Sequence, residues 1–314
     1  MSIFFTRRCN FNCHYCSTSK NQKSKDISLK KWKSIITQIY NQGCRFITIY
    51  GGEPTLRSDL GQLLKFCIEL KMYVHLVTNG SLLNEDMLEE FTSYGYFLLG
   101  ISIDTITDKD FSPKKYSPNL ISLLQKFQHT NLDRIEYAFH ILTTRENFNE
   151  LIPLVKLINS KLICKFSIDP VHSASGLDQK FQYRNYCPNL LLKKKQMNFL
   201  PKIIQNLKRN DINIWSPNLY YYYMNKWYHN AYQWKCDSGD LYYAINNDGN
   251  VMLCEEIDTP IDFQNFIRMP LKKRIIMLQN YKFKYCDCFK PCYWNPSNFI
   301  KNPIKSFIYQ FRFK

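Results

Sequence analysis

Twelve cysteines stand in this chain of 314 residues, and two groups among them have spacings that suit metal or redox chemistry. The first is Cys9-Asn10-Phe11-Asn12-Cys13-His14-Tyr15-Cys16, a CxxxCxxC pattern. Soft thiolates suit an iron–sulfur cube. Three of them in one short loop hold three irons of a [4Fe–4S] cluster and leave the fourth iron open to chelation by a small molecule. A structural zinc ion held by the same cysteines with His14 is the competing use of these donors. The second group begins with Cys236, Gly249 and Cys254 in a CX12GX4C spacing and ends with Cys286, Cys288 and Cys292. Gly249 sits in an Asn247-Asp248-Gly249 turn signal, which predicts a hairpin returning Cys254 toward Cys236. Five thiolates complete one cube, for which Cys236, Cys254, Cys288 and Cys292 are the expected ligands and Cys286 the alternate. A closed four-cysteine zinc site again uses the same set.

Between the two groups lie short polar motifs, each following an apolar run. They are Gly51-Gly52-Glu53-Pro54, Thr78-Asn79-Gly80 and Ser102-Ile103-Asp104. Strand alternation sends Ser102 and Asp104 to one face, as a shared ligand requires. Glu255, directly after Cys254, is a candidate general base, and an exposed hairpin residue is its simpler reading. His140, Arg145, His172 and Cys187 fall at or beyond late strands, where each either meets substrate or satisfies local bonds. Cys44, Cys67 and Cys164 read as small core hydrophobes.

These motifs need a frame. Apolar runs at 3–6, 46–50, 74–78, 98–103, 135–142 and 163–168 alternate with amphipathic stretches, the signature of βα units and a parallel sheet. Helices are expected near 29–41, with Ser28 as N-cap and Gly43 as stop, and near 59–71, 84–93, 119–129, 147–160 and 190–209. Six such units make an α/β fold, a partial (β/α)6 barrel whose chemistry lies at the carboxyl ends of its strands. After residue 210 the pattern changes to an aromatic run that includes Tyr220-Tyr221-Tyr222-Tyr223, followed by the cysteine-bearing hairpin. The expected division is a barrel over 1–212, a small Cys-rich α+β domain over 213–295, and a basic, aromatic tail over 296–314 packed on the barrel.

The CxxxCxxC loop after the first strand, with the three motifs ending the next three, resembles the radical S-adenosylmethionine (SAM) superfamily along essentially the whole chain. The resemblance implies a TIM-like partial barrel in which Cys9, Cys13 and Cys16 ligate the cluster. It further implies that Gly51, Gly52 and Glu53 meet the methionine end of SAM, that Asn79, Ser102 and Asp104 contact the rest, and that Tyr15 lies beside adenine. The CX12GX4C spacing resembles the opening of SPASM and Twitch auxiliary domains. The distal cysteines are too few for the full SPASM pattern, so one auxiliary [4Fe–4S] cluster is expected. The implied activity is reductive cleavage of SAM to a 5′-deoxyadenosyl radical that abstracts substrate hydrogen, with electrons from a flavodoxin or ferredoxin. A peptide or protein side chain is the leading substrate class. A first strand beginning at residue 3 leaves no room for a leader-binding domain, which brings a small molecule such as a carbohydrate alcohol close behind.

Composition bounds the rest. Hydrophobic residues make up 45% and charged residues 22%, which suits a folded domain and excludes a disordered chain. No apolar run approaches the roughly 20 residues of a membrane span, and no signal peptide precedes the first cysteine loop, so a cytoplasmic location without membrane contact is expected. In that compartment cysteines serve metals or redox chemistry rather than disulfides. The net charge of +16 invites a nucleic-acid partner, with tyrosines 220–223 as a stacking platform. The basic residues are scattered, however, and a compositional origin ranks ahead of it.

Overall fold

A computed structural model describes residues 1–16, 18, 25–131, 133–171, 187–233 and 236–281. The six expected strands form: β1 (Ser2–Thr6), β2 (Phe46–Gly51), β3 (Tyr73–Thr78), β4 (Phe97–Ser102), β5 (Ile135–Thr143) and β6 (Cys164–Pro170). Each pairs in parallel with the next. Helices return the chain between them: α1 (Leu29–Asn41), α2 (Leu60–Glu69), α3 (Glu85–Ser93), α4 (Pro118–Thr130) and α5 (Leu151–Asn159). Local chemistry sets the starts of these helices. The Ser28 hydroxyl accepts from the Lys31 amide at 3.3 Å, Asn84 accepts from Met87 at 2.9 Å, and Ser117 accepts from Leu120 at 3.3 Å, each satisfying an otherwise orphaned first-turn donor. The helical stripe Trp32, Ile35, Ile36 and Ile39 is buried in one core with Ile3, Phe5, Ile47 and Ile49. Burial of each such side chain contributes about 1.5–3 kcal/mol.

The sheet does not stop at β1. Strands β7 (Ala244–Ile245), β8 (Asn250–Cys254) and β9 (Ile257–Asp262) continue it, giving the order β6-β5-β4-β3-β2-β1-β7-β8-β9. The Asn247-Asp248-Gly249 hairpin joins β7 and β8 antiparallel, with Gly249 at φ +84°. The sequence put this hairpin in a small domain of its own, whereas β7 pairs in parallel with β1. An open barrel leaves one edge of β1 unpaired, and the hairpin satisfies that edge.

The aromatic stretch has a similar explanation. Residues 213–215 bond to the far edge strand, Phe166 N–H to Asn213 O and Trp215 N–H to Phe166 O, both at 2.8 Å. Next comes α7 (Asn218–Tyr228), which packs on α6 (Lys194–Arg209). Tyr220 and Tyr221 are buried, and the Tyr221 hydroxyl donates to Ile168 O at 2.9 Å. Two short helices, α8 (Phe263–Ile267) and α9 (Leu271–Gln279), complete the described chain. Among the described residues no helix is long and apolar enough to cross a membrane. Cys286, Cys288, Cys292, His172 and the tail at 296–314 lie outside the described residues.

Candidate active site

Cys9, Cys13 and Cys16 leave the carboxyl end of β1, where a parallel sheet gathers its chemistry. Their loop is held from two sides. On one side, the Gly51-Gly52-Glu53 turn bonds to the chain entering the loop: Gly52 N–H donates to Thr6 O at 2.8 Å and Glu53 N–H to Arg8 O at 2.7 Å. A Cβ on Gly52 would lie 2.1 Å from Arg8 O, and one on Gly51 would lie 2.1 Å from Thr6 O. These glycines therefore admit the backbone that launches the cysteine loop.

Glu53 is fully buried and binds strand ends together. Its carboxylate accepts from the Thr55 amide at 3.1 Å, the Thr55 hydroxyl at 2.6 Å, the Thr78 hydroxyl at 2.6 Å and the Asn79 amide at 2.7 Å. With four donors satisfied, the side chain acts as a brace between β2 and β3. Asn79 reaches the cysteine loop directly, its amide donating to the Asn10 side chain at 2.9 Å.

On the other side stands the connection from β4 to α4. His14 N–H donates to Phe111 O at 2.9 Å, and the Ser112 hydroxyl lies 3.8 Å from the Cys13 sulfur. Asp104, buried beyond the end of β4, accepts from the Tyr15 hydroxyl at 2.5 Å, the Ser112 hydroxyl at 2.7 Å and the Leu142 amide at 3.0 Å. Asn147 fixes the same corner, donating to Asp104 O at 2.7 Å and Leu142 O at 2.9 Å. Burial first, and then the Asp104 charge, push the Tyr15 phenol well above its ordinary value, so it stays a donor at neutral pH.

Tyr15, Ser102, Asp104, Lys114, His140 and Asp169 line a cavity of ≈ 180 Å³ with Ile141 and Leu142. Ser102 and Asp104 thus line one cavity, although Asp104 lies beyond the last residue of β4. Burial opposes the Lys114 charge, but Asp104 and the thiols of Cys13, Cys16 and Cys9 outweigh it and raise its pKa. Below the cavity, His140 Nε2 lies 3.2 Å from His75 Nε2. They meet across Gly100, where a Cβ would approach both nitrogens, at 2.6 and 2.5 Å. Burial pushes both imidazoles down, His75 far below its ordinary value and His140 to about 4, so both are neutral at pH 7.

The donor set of the cysteine loop fits an iron–sulfur cluster. The Cys9 sulfur accepts from Phe11 N–H at 3.4 Å and the Cys16 sulfur from Thr18 N–H at 3.5 Å, contacts of the kind that tune cluster sulfurs. A closed zinc site needs donors converging on one point. A cube instead spreads its thiolates over separate irons.

The remaining candidates fall elsewhere. Cys236 and Cys254 are buried, the former with its sulfur 3.2 Å from the Tyr242 hydroxyl. Cys254 closes β8 beside the amino end of β1, opposite the Cys9 loop. Glu255 follows it and accepts from the Ser2 hydroxyl at 3.3 Å. The run from Ser2 to Thr6 spans about 13 Å, so Glu255 is not brought to the cavity. Arg145 donates to Leu191 O at 3.2 Å, outside the cavity lining. Cys67 and Cys164 are core residues. Sequence reasoning missed Lys114, Ser112 and Asn147, which sit in loops without periodicity. It also missed His75, whose one signal is a lone imidazole in the apolar run Tyr73-Val74-His75-Leu76-Val77.

Comparison with known proteins follows the same outline. Residues 3–158 match the family model described as the Radical SAM superfamily. The Fe-coproporphyrin III synthase of Methanosarcina barkeri is 24% identical over 160 residues, 50% of this chain and 40% of that relative. The PqqA peptide cyclase of Bradyrhizobium diazoefficiens is 30% identical over 105 residues, 33% of this chain and 28% of that one. The chain thus spans less than half the length of these two relatives. SuiB of Streptococcus suis bound to S-adenosylmethionine shares the fold, with a TM-score of 0.66 at 17% identity over 92% of this chain and 69% of that chain.

Proposed function

The chain belongs to the radical SAM superfamily of enzymes through residues 3–158, and on that premise we propose that it cleaves S-adenosylmethionine reductively to modify a peptide or protein side chain. The observation that carries the proposal is the cysteine loop at the carboxyl end of β1, joined through Tyr15 and Asp104 to a cavity at the end of β4. Bound there together, a reduced [4Fe–4S] cluster and S-adenosylmethionine supply a 5′-deoxyadenosyl radical that takes a hydrogen atom from a substrate C–H bond. Cys9, Cys13 and Cys16 hold the cluster. The backbone of Gly51 and Gly52, together with Asn79, Ser102 and Asp104, forms the nucleotide's surroundings, with Glu53 fixing their strand ends. Tyr15, held by Asp104, presents its ring at the cavity wall.

Cys236, Cys254, Cys288 and Cys292, with Cys286 as the alternate, hold one auxiliary cluster of the SPASM or Twitch kind in this proposal. The burial of Cys236 and Cys254 beside the barrel sheet supports it. Electrons enter from a flavodoxin- or ferredoxin-type donor in the cytoplasm. The peptide reading is supported by the likeness to PqqA peptide cyclase. A small-molecule substrate is the second reading, favoured by the likeness to Fe-coproporphyrin III synthase over half the chain. Of the tyrosine run considered for base stacking, Tyr220 and Tyr221 are buried while Tyr222 is exposed, so the run does not form a continuous stacking platform.

The test is to offer the anaerobically reconstituted full chain, with S-adenosylmethionine and reductant, a short peptide encoded beside its gene and, separately, a metabolite extract. A mass change in the peptide that tracks 5′-deoxyadenosine supports the peptide reading. Consumption of a metabolite with the peptide untouched overturns it in favour of the second.

A further inference from the structure

Lys114 differs from the other lysines of its loop. Lys109 pairs with Glu150 at 3.2 Å and Lys115 with Asp108 at 2.6 Å. The Lys114 ammonium makes no ion pair or hydrogen bond among the described residues, yet it lines the cavity and stands 5.5 Å from the centroid of the Tyr15 ring. Its backbone is fixed: its N–H donates to the Ser112 hydroxyl at 3.3 Å, and its carbonyl accepts from Asp104 N–H at 2.8 Å and Thr105 N–H at 3.3 Å. The Asp104 carboxylate, whose oxygens accept from Tyr15, Ser112 and Leu142, acts on this cation through its field, with no ion pair between the two among the described residues. The cysteine loop is close by: the Ser112 hydroxyl that accepts from the Lys114 N–H lies 3.8 Å from the Cys13 sulfur, and the Tyr15 ring that the ammonium faces directly precedes Cys16.

We infer that Lys114 is the fixed positive charge that makes the cluster of Cys9, Cys13 and Cys16 easier to reduce. The inference rests on the proposal that these cysteines hold a [4Fe–4S] cluster. A cube with thiolate ligands gains one further negative charge when one electron enters from the reductant. No bond forms or breaks, and the ammonium keeps its proton. A cation held nearby in a partly desolvated site stabilises the more negative state more strongly. Lys114 is a positioning residue in this scheme, acting on the cluster through its field.

The experiment is a redox titration followed by electron paramagnetic resonance on the anaerobically reconstituted full chain, without S-adenosylmethionine. It follows the signal that disappears in Cys13→Ala. Wild type is compared with Lys114→Gln, Lys114→Met and Lys114→Arg. At a fixed poise the ratio of reduced to oxidised cluster should fall about tenfold in the Gln and Met variants, ~59 mV for a one-electron couple, and the Arg variant should restore it. If Gln and Met fail to load iron while Arg loads it, the need for positive charge is also supported. Equal potentials in all four proteins overturn the inference, as does a common shift or loss of loading that includes Arg. Weaker S-adenosylmethionine binding in Lys114→Gln at an unchanged potential overturns it too, since the ammonium then serves the ligand. A wild-type protein with no cluster in the Cys9 loop instead defeats the parent proposal.

Discussion

The Tyr15 hydroxyl donates to the buried Asp104 carboxylate at 2.5 Å, fastening the cysteine loop at the end of β1 to the chain leaving β4. Asp104 also holds Ser112 at 2.7 Å and the Leu142 amide of β5 at 3.0 Å. One carboxylate thereby organises three connections around the cavity. Glu53 does the same for β2 and β3. The two acids expected to touch a ligand first serve to hold the strand ends in register.

Tyr15→Phe should cost about 1.5–3 kcal/mol of unfolding free energy, the usual worth of a hydrogen bond to a charged group. Asp104→Ala should cost more, since Tyr15, Ser112 and the Leu142 amide all lose their acceptor. Anaerobic guanidinium unfolding of both variants checks the order. A Tyr15→Phe protein as stable as wild type would show that the bond contributes nothing.

Gly52→Ala should remove the cluster proposed for the Cys9 loop. The added Cβ meets Arg8 O at 2.1 Å, and a backbone atom there yields only if the cysteine loop moves. Iron content should fall by about four atoms per chain. Gly61→Ala is the control, because its Cβ meets the flexible end of Glu90 at 2.3 Å and Ala favours the helix. Loading equal in both variants would contradict the assigned role of the turn.

The His75–His140 pair predicts acid sensitivity. His140 titrates at about 4 in the fold, against about 6.5 in the unfolded chain. Above pH 6.5 both states leave it neutral. Between 6.5 and 4 the unfolded chain binds a proton that the fold refuses, so stability drops as pH falls through that window, by about 3 kcal/mol from this group. His140→Gln should flatten the dependence in denaturant unfolding between pH 7 and 5. Parallel curves for variant and wild type would contradict the buried, neutral pair.

The barrel was legible because its strands are short apolar runs and its helices carry stripes such as Trp32, Ile35, Ile36 and Ile39. The CxxxCxxC loop was legible because cysteine spacing carries its own chemistry. Other features depend on tertiary pairing that leaves no local trace. β7 found the open edge of β1, and residues 213–215 found that of β6, though nothing in either segment announces a partner. Lys114 and Asn147 act through loop geometry, which periodicity does not encode. Gly100 is required by two imidazoles from neighbouring strands, visible only once β3, β4 and β5 lie side by side.

Radical chemistry at the Cys9 loop is tested most directly by quantifying 5′-deoxyadenosine from the reconstituted chain given dithionite and S-adenosylmethionine. Wild type should form it, and Cys13→Ala, lacking one of the three proposed cluster ligands, should form none above background. Equal amounts from the two proteins, or none from a wild type with its full iron complement, would contradict the account.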